Sequence, residues 1–449
     1  MAKVQTITEG PIYPTILRLA WPVVASMMLG TLLSLTDYFW VKYLGTSEQD
    51  AITTSMVVSW TLFSTLAIVT TGLTAMVSRA VGAKDLNRAK FVSYQGIQMA
   101  IGIGIMLGLL GYFLTPPILR FLKTSEQVFA LALPYLRIIF LSMVFHMIAD
   151  SLGAIFRADG DTKSPTIAMV VSTLLNIGLD PIFIFGWGPI PAMGVTGAAL
   201  ASMISIATAP VILIILLIKG KLEFSLGGWH RVRPDLALMG KLARIGVPIY
   251  LQNITFTMVY WFLIQIVHDF GIAAGAAMGV GNRLESISYF VAFGFSTAAA
   301  TLVGQNLGAG NTERASRCAW GTILLICIET FIVTILFVTF PRQIASVFTH
   351  DSETLAIAAD YLLILGLSQM FMGVEIVLEG AFTGAGDTVP PMAVAVPGSL
   401  LRLPIAWYLV YEMDLGINGV WWSLTITSFL KAGLMLLWFK RGNWKKKAL

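Results

Sequence analysis

Stretches of about 20 residues with almost no charge recur along this chain from Thr15 to the neighbourhood of Trp438, and no other feature limits its fold so tightly. A helix rises about 1.5 Å per residue, so each stretch is long enough to cross the roughly 30 Å of hydrocarbon in a bilayer. A window reading finds about twelve of them. In lipid the backbone must satisfy its own hydrogen bonds, which leaves helices or closed barrels, and continuous apolar runs of this length are helical. The expectation is an all-α integral membrane protein with twelve transmembrane helices. Composition agrees: the 449 residues are 57% hydrophobic and 12% charged, against about 25% charged in an ordinary soluble domain.

The charges are sorted by side. Most Lys and Arg fall in "SRAVGAKDLNRAK", "RADGDTKS", "KGKLEFSLGGWHRVRPDLALMGKLAR", "NTERASR" and "KRGNWKKK", while "LGTSEQD" and "GWGPIPAMG" between alternate runs are nearly bare. This is the positive-inside pattern, and with an even number of spans it places both termini in the cytoplasm. The net charge of +5 therefore sets orientation and does not call for nucleic acid. The first residues carry no apolar core followed by a small-residue cleavage site, so no secretory signal is expected. Cys318 and Cys327 lack CxxC spacing and suggest neither a disulfide framework nor a zinc site.

An internal repeat runs through the chain. Arg18 and Pro22 match Arg244 and Pro248, 226 positions on (244 minus 18), and the same offset pairs "VGAKDLNRA" with "LGAGNTERA", Tyr135-Leu136 with Tyr361-Leu362, and Gly160-Asp161-Thr162 with Gly386-Asp387-Thr388. Further on, "MGVTGAALAS" and "LGINGVWWSL" match at an offset of about 222 (415 minus 193), so a short insertion or deletion intervenes. Six spans per copy make the repeat parallel, an arrangement that transporters use. The expected lobes are residues 1–218 and 241–449, each of six helices, joined by a cytoplasmic linker at 219–240.

The two six-helix halves, the proline early in the first span of each, the loops "VGAKDLNRAK" and "LGAGNTERAS", and the "RADGDTKSP" and "GAGDTVPP" signatures together resemble the multidrug and toxic compound extrusion (MATE) family. The resemblance covers essentially the whole chain. It implies a secondary transporter, not an enzyme, that exports amphipathic organic cations by alternating access of two lobes. The implied protein is a monomer in the inner membrane of a prokaryote, with lipid as its surroundings. No cofactor is implied. Protons are the expected coupling ion, with sodium the alternative.

Within the family, Asp37 in the first span with Asn176 and Asp180 in "LLNIGLDPIF" match the acidic set of the DinF-like branch, and Tyr135 matches a tyrosine drawn into that network. The NorM-like branch expects a glutamate in the seventh span, where "GVPIYLQNITF" places Phe256 or its neighbours, none of them acidic, and an aspartate in the tenth, near Met372, with Glu375 and Glu379 a turn or two further on. The departure argues against a NorM-type sodium site.

A charge at the bilayer centre costs at least about 2.5–3.5 kcal/mol on insertion scales, and a carboxylate avoids part of this by taking a proton. Helix arithmetic puts Asp37 and Asp180 in the outer half of the membrane. Asn176 and Asp180 stand four apart on one helix face, so the amide can donate to the carboxylate. Pro181 follows, and its missing N–H gives the fifth span a place to bend.

His146 and Asp150 are also four apart and are expected to pair or to relay protons. Glu329, Glu375, Glu379 and Arg402 fall in spans of the second half, where Glu379 is placed to neutralise Arg402. Asp161 and Asp387 follow glycines at helix starts and read as caps. Met27, Met203 and Met258 are candidates for an adaptable substrate wall, alongside Met28 and Met278, although methionines in a bundle usually serve packing.

No phosphate loop, HExxH, CxxC or GxSxG pattern suggests an ATPase or another enzyme. A lipid-linked precursor flippase of the same superfamily is the transport alternative and is expected to carry more intramembrane Arg. A lipid-modifying membrane enzyme is the alternative of another class.

Overall fold

The computed structural model describes the backbone of residues 2–41, 43–226 and 232–448, and the side chains of these except 2–3, 31–38, 41 and 57. The first half contains α1 (Ala2–Glu9), α2 (Ile12–Val41), α3 (Thr46–Phe63), α4 (Ala67–Gly82), α5 (Leu86–Phe121), α6 (Glu126–Ala158), α7 (Lys163–Phe185) and α8 (Gly194–Ile218). The second contains α9 (Leu236–His268), α10 (Ile272–Gly308), α11 (Thr312–Thr339), α12 (Pro341–Ser346), α13 (Ser352–Gly366), α14 (Gln369–Ala385), α15 (Val389–Leu400), α16 (Arg402–Trp407) and α17 (Asn418–Lys440). Among the described residues, 11 stretches are long and apolar enough to cross a membrane. The pair α13 and α14, bent by 55° at the break, makes up to 12. Among the described residues the expected all-helical architecture is what the chain forms, with 11 spans, or 12 when the bent pair is counted as one.

The surface shows why a bilayer is the solvent. Leu110 and Phe113 on α5 are 52% and 72% exposed, while Gly104, Gly108 and Gly111 on the same helix are buried. Small residues face the protein and large apolar ones face out, because dispersion packing between helices needs close approach where lipid is already apolar. At Gly104 an added Cβ would lie 2.7 Å from the Val144 backbone on α6, so these two helices are packed nearly backbone to backbone.

The chain separates into two compact units. Unit 1 takes Met1–Val4 and Ala25–Gly246, and unit 2 takes Gln5–Val24 and Val247–Leu449. Each unit therefore includes the opening turns of the other half's first long helix, with the crossover beside Pro22 in α2 and beside Pro248 in α9.

Glycine makes both inclusions fit, from opposite sides. In unit 1 the early turns of α9 press on α4, where a Cβ on Gly246 would strike the Ile68 carbonyl and one on Gly72 would lie 2.5 Å from the Leu242 carbonyl. In unit 2 the early turns of α2 press on α10, where a Cβ on Gly294 would meet Val24 and come within 3.0 Å of the Ala20 carbonyl. Subtracting 226 turns Gly246 into Ala20 and Gly294 into Ile68. It is the same contact twice, with the glycine on one helix in unit 1 and on the other helix in unit 2.

Helix starts repeat as well. Ser125 caps α6 by accepting from Val128 N at 3.3 Å, and its repeat partner Asp351 caps α13 by accepting from Thr354 N at 2.9 Å. Asp161 caps α7 as expected, accepting from the backbone of Lys163 and Ser164. Its partner Asp387 instead pairs with Lys447 at 3.0 Å. Between α8 and α9 the chain is held to unit 1: Asp159 accepts from Glu223 N, and Gln98 and Gln95 donate to the carbonyls of Val232 and Arg233.

Candidate functional site

In unit 1, α7 and α8 pack along their length, and the contact is polar one helix turn at a time. Ser172 Oγ donates to the Ser205 carbonyl at 2.6 Å. One turn on, Asn176 Nδ2 lies 3.3 Å from Ser202 Oγ and 3.3 Å from Asp180 Oδ1. Asn176 and Asp180 are 1% and 0% exposed. The amide thus bridges the neighbouring helix and the carboxylate, as the four-residue spacing foretold. α7 continues through Pro181 to Phe185, although that proline denies the Ile177 carbonyl its ladder donor.

Tyr135 on α6 is half-buried and joins the apolar cluster of Ile184, Val195 and Ala198, one turn beyond Asp180. Asp37 lies in α2, but its side chain is outside the described residues. The helix around it is placed: Gly30 approaches Met169 on α7, where a Cβ would sit 3.5 Å from the methionine Cε. Seven residues beyond each side of this contact, about 10 Å along a helix, stand Asp37 on α2 and Asn176 on α7.

The other expected pair is not brought together. His146 packs against Phe63, with ring centroids 4.8 Å apart and the planes tilted by 51°. Asp150 is coupled electrostatically to Arg157 instead. That arginine folds back over Gly153, where a Cβ would lie 2.9 Å from its guanidinium. Four-residue spacing gave these two side chains a common face, but each found a better partner along another direction. Of the methionines, Met27 and Met203 are half-buried in unit 1, and Met258 is 58% exposed in unit 2.

Unit 2 carries a polar network that sequence reasoning largely missed. Glu285 on α10 receives Tyr361 Oη from α13 at 3.0 Å and Gln369 Nε2 from α14 at 3.1 Å. Tyr361 Oη is also 3.0 Å from Asn282 Oδ1. Lys431 on α17 and Glu375 on α14 form an ion pair of 2.7 Å with both side chains buried. Gln252 donates to Glu379 at 2.5 Å, so Glu379 is not the partner of Arg402. Arg402 donates to Thr427 at 2.9 Å and is coupled to Glu375 and Glu285.

The guanidinium of Arg402 lies 5.6 Å from the centre of the Phe256 ring. A buried cation thus stands over an aromatic face. One signal for this network was present in the sequence: Tyr361 is the repeat partner of Tyr135, and Arg402 that of Asn176, in "LLR" against "LLN".

A profile of the MatE family matches residues 22–182 and 248–408, two segments separated by the offset of the internal repeat. The chain is 29% identical over 436 residues to the probable multidrug resistance protein NorM of Thermotoga maritima, covering 97% of this chain and 93% of that one. It is 27% identical over 427 residues to the FAD transporter of Shewanella oneidensis, covering 94% and 93%. Among solved structures, a MOP superfamily transporter from Pyrococcus furiosus superposes with a TM-score of 0.91 at 23% identity, covering 100% of this chain and 99% of that one.

Proposed function

From the premise that this chain belongs to the MatE family of membrane transporters, we propose that it exports organic, mostly cationic amphipathic compounds, and so contributes to multidrug resistance, in exchange for protons. Relatives described as multidrug resistance proteins support the export of varied compounds. The observation that carries proton coupling is Asp180, fully buried in unit 1 and held by the Asn176 amide. Asp37 on α2 and Tyr135, beside the outer end of α7, complete the proposed site.

A carboxylate at membrane depth attracts a lipophilic cation when ionised and releases it when a proton arrives, so one group serves both partners by turns. The ionised form binds substrate from the inside. After the change of access, protons from outside neutralise Asp37 and Asp180 and the substrate leaves. By linkage, bound substrate lowers the proton affinity of the same site by the same factor. Each charge moved inward supplies about 2.3 kcal/mol per 100 mV of membrane potential. The protein works without a cofactor, as a monomer among membrane lipids in a prokaryotic inner membrane, with both termini inside.

A second reading, export of an anionic solute, is favoured by the buried cations Arg402 and Lys431 and by the relative that carries FAD. Those two cations face three glutamates, Glu285, Glu375 and Glu379, so they leave no surplus positive charge for an anion. The cationic reading is the stronger on that count.

The test is efflux of a lipophilic cation and of FAD from proteoliposomes under imposed pH or sodium gradients. Wild type is expected to move the cation on a pH gradient, and Asp180→Asn and Asp37→Asn to lose that transport. Full activity in both variants would remove the carboxylate mechanism. Uptake driven by sodium alone would replace the coupling ion, and flux of FAD in place of the cation would replace the substrate class.

A further inference from the structure

The environment of Glu285 in unit 2 is built to accept a proton and to give it up. Tyr361 Oη lies 3.0 Å from both Glu285 Oε2 and Asn282 Oδ1, yet a tyrosine hydroxyl has one proton to donate. Two arrangements satisfy every member. With Glu285 ionised, Tyr361 donates to the carboxylate, and the Asn282 amide turns its NH2 group to Tyr361 Oη. With Glu285 protonated, the acid donates to Tyr361 Oη and Tyr361 donates to Asn282 Oδ1. Oxygen and nitrogen of an amide exchange places by a half turn, so the second state costs no lost bond. Tyr260 on α9 faces the same Asn282 and extends the chain by one hydroxyl.

The surrounding charges ask for one proton. The groups that face this cluster from the packed helices are Tyr260 on α9, Tyr361 on α13, Gln369, Glu375 and Glu379 on α14, Arg402 on α16, Lys431 on α17 and Glu329 on α11, which faces Ser288 one turn from Glu285. Within the connected core, Glu285, Glu375 and Glu379 oppose Arg402 and Lys431. Three acids against two bases leave one negative charge, which is costly in a low-dielectric interior. A single bound proton removes it. Glu375 is committed to Lys431 at 2.7 Å. Gln369, which is fully buried, donates to Glu285 Oε1 through Nε2, and that bond holds whether Glu285 is ionised or carries its proton on Oε2, because Oε1 accepts in both states.

We propose that Glu285 is a proton-binding site of unit 2, served by Tyr361 and Asn282 as a hydrogen-bonded chain whose polarity reverses with each loading. Its donors straddle the 55° break between α13 and α14, Tyr361 on one side and Gln369 on the other. The site stands apart from the roles proposed for Asp37 and Asp180, and either assignment survives the failure of the other.

The experiment uses full-length protein reconstituted in lipid, with Asp37→Asn and Asp180→Asn both present to silence the acids of the unit 1 site. Infrared difference spectra are taken between alkaline and acidic buffer. The expected result is a protonated-carboxyl C=O band that grows on acidification, disappears in Glu285→Gln, moves to higher frequency in Tyr361→Phe through loss of a hydrogen bond, and is displaced but kept in Glu285→Asp. Survival of the band in Glu285→Gln, or its loss in Glu379→Gln, overturns the proposal. So does the absence of any titrating band, or a band whose frequency is unchanged in Tyr361→Phe. Efflux by the single Asp37 and Asp180 variants reports on unit 1 separately.

Discussion

Replacing Lys431 by methionine keeps most of the side chain's volume and removes its charge, leaving Glu375 buried beside it. The two atoms are 2.7 Å apart, and the side chains are 6% and 11% exposed. Breaking a pair of this kind costs about 3–5 kcal/mol, because the surviving charge is left without its partner in a poor solvent. Arg402 is a second cation coupled to Glu375, which argues for the lower end, about 3 kcal/mol. That is roughly a hundredfold in the unfolding equilibrium, and roughly 6–12 °C in melting temperature for a unit of this size.

Thermal unfolding of the detergent-purified protein, followed by tryptophan fluorescence, measures it, and Trp421, fully buried in unit 2, is a built-in reporter. The double variant Glu375→Met with Lys431→Met removes both charges and is expected to recover most of the loss, since an apolar pair of similar volume is often as stable as the ion pair it replaces. A single variant that melts within about a degree of wild type would refute the reasoning. So would a double variant as unstable as the single.

Three further outcomes follow. Asn176→Leu removes a hydrogen bond to a charged carboxylate, worth about 1.5–3 kcal/mol, and efflux is expected to fall by roughly tenfold or more; unchanged efflux would separate Asn176 from the site. Gly246→Ala drives a Cβ into the Ile68 carbonyl and should cost about 1–3 kcal/mol by overpacking. Gly240→Ala on the same helix, with nothing within 4 Å, should be neutral or stabilising, by up to about 1 kcal/mol, and equal melting curves for the two would contradict the close approach.

Asp351 has its carboxyl held below the usual carboxylate range, first by the Thr354 N–H and then by the Thr354 hydroxyl. A lowered folded-state pKa gives stability that is present above the ordinary value and lost as pH falls through the folded one. The melting difference between wild type and Asp351→Ala should therefore be full near neutrality and close in acid, and a gap that widens on acidification would reverse the assignment.

Much of unit 1's chemistry was legible in the sequence because it is local. Asn176 and Asp180 share a helix face by spacing alone, Asp161 caps the helix it precedes, and the repeat announces itself through Arg18, Pro22 and their partners. His146 and Asp150 show the limit of spacing: a common face permits contact, but a phenyl ring on α3 and an arginine two turns on were closer matches. The network of unit 2 was hidden for another reason. Glu285 and Gln369 are 84 positions apart, and Glu375 and Lys431 are 56, so no periodicity along one helix reveals them. The bent span that brings Tyr361 and Gln369 to the same carboxylate is a property of packing. Arg402 was visible as an intramembrane charge, yet its partner was misjudged, because Glu379 had Gln252 across from it.

The exchange of opening turns between the two halves bears on how such a protein can be taken apart or recombined. A cut in the segment between α8 and α9 looks natural from the sequence, yet it yields neither unit whole: the first fragment carries Gln5–Val24 away from unit 2, and the second carries the early turns of α9 away from unit 1. Fragments made separately would each present an unfilled groove lined by glycine, so they should assemble only when produced together. A chimera with a relative, for the same reason, should be joined at Val24–Ala25 and at Gly246–Val247, within continuous helices, and not in the segment between α8 and α9.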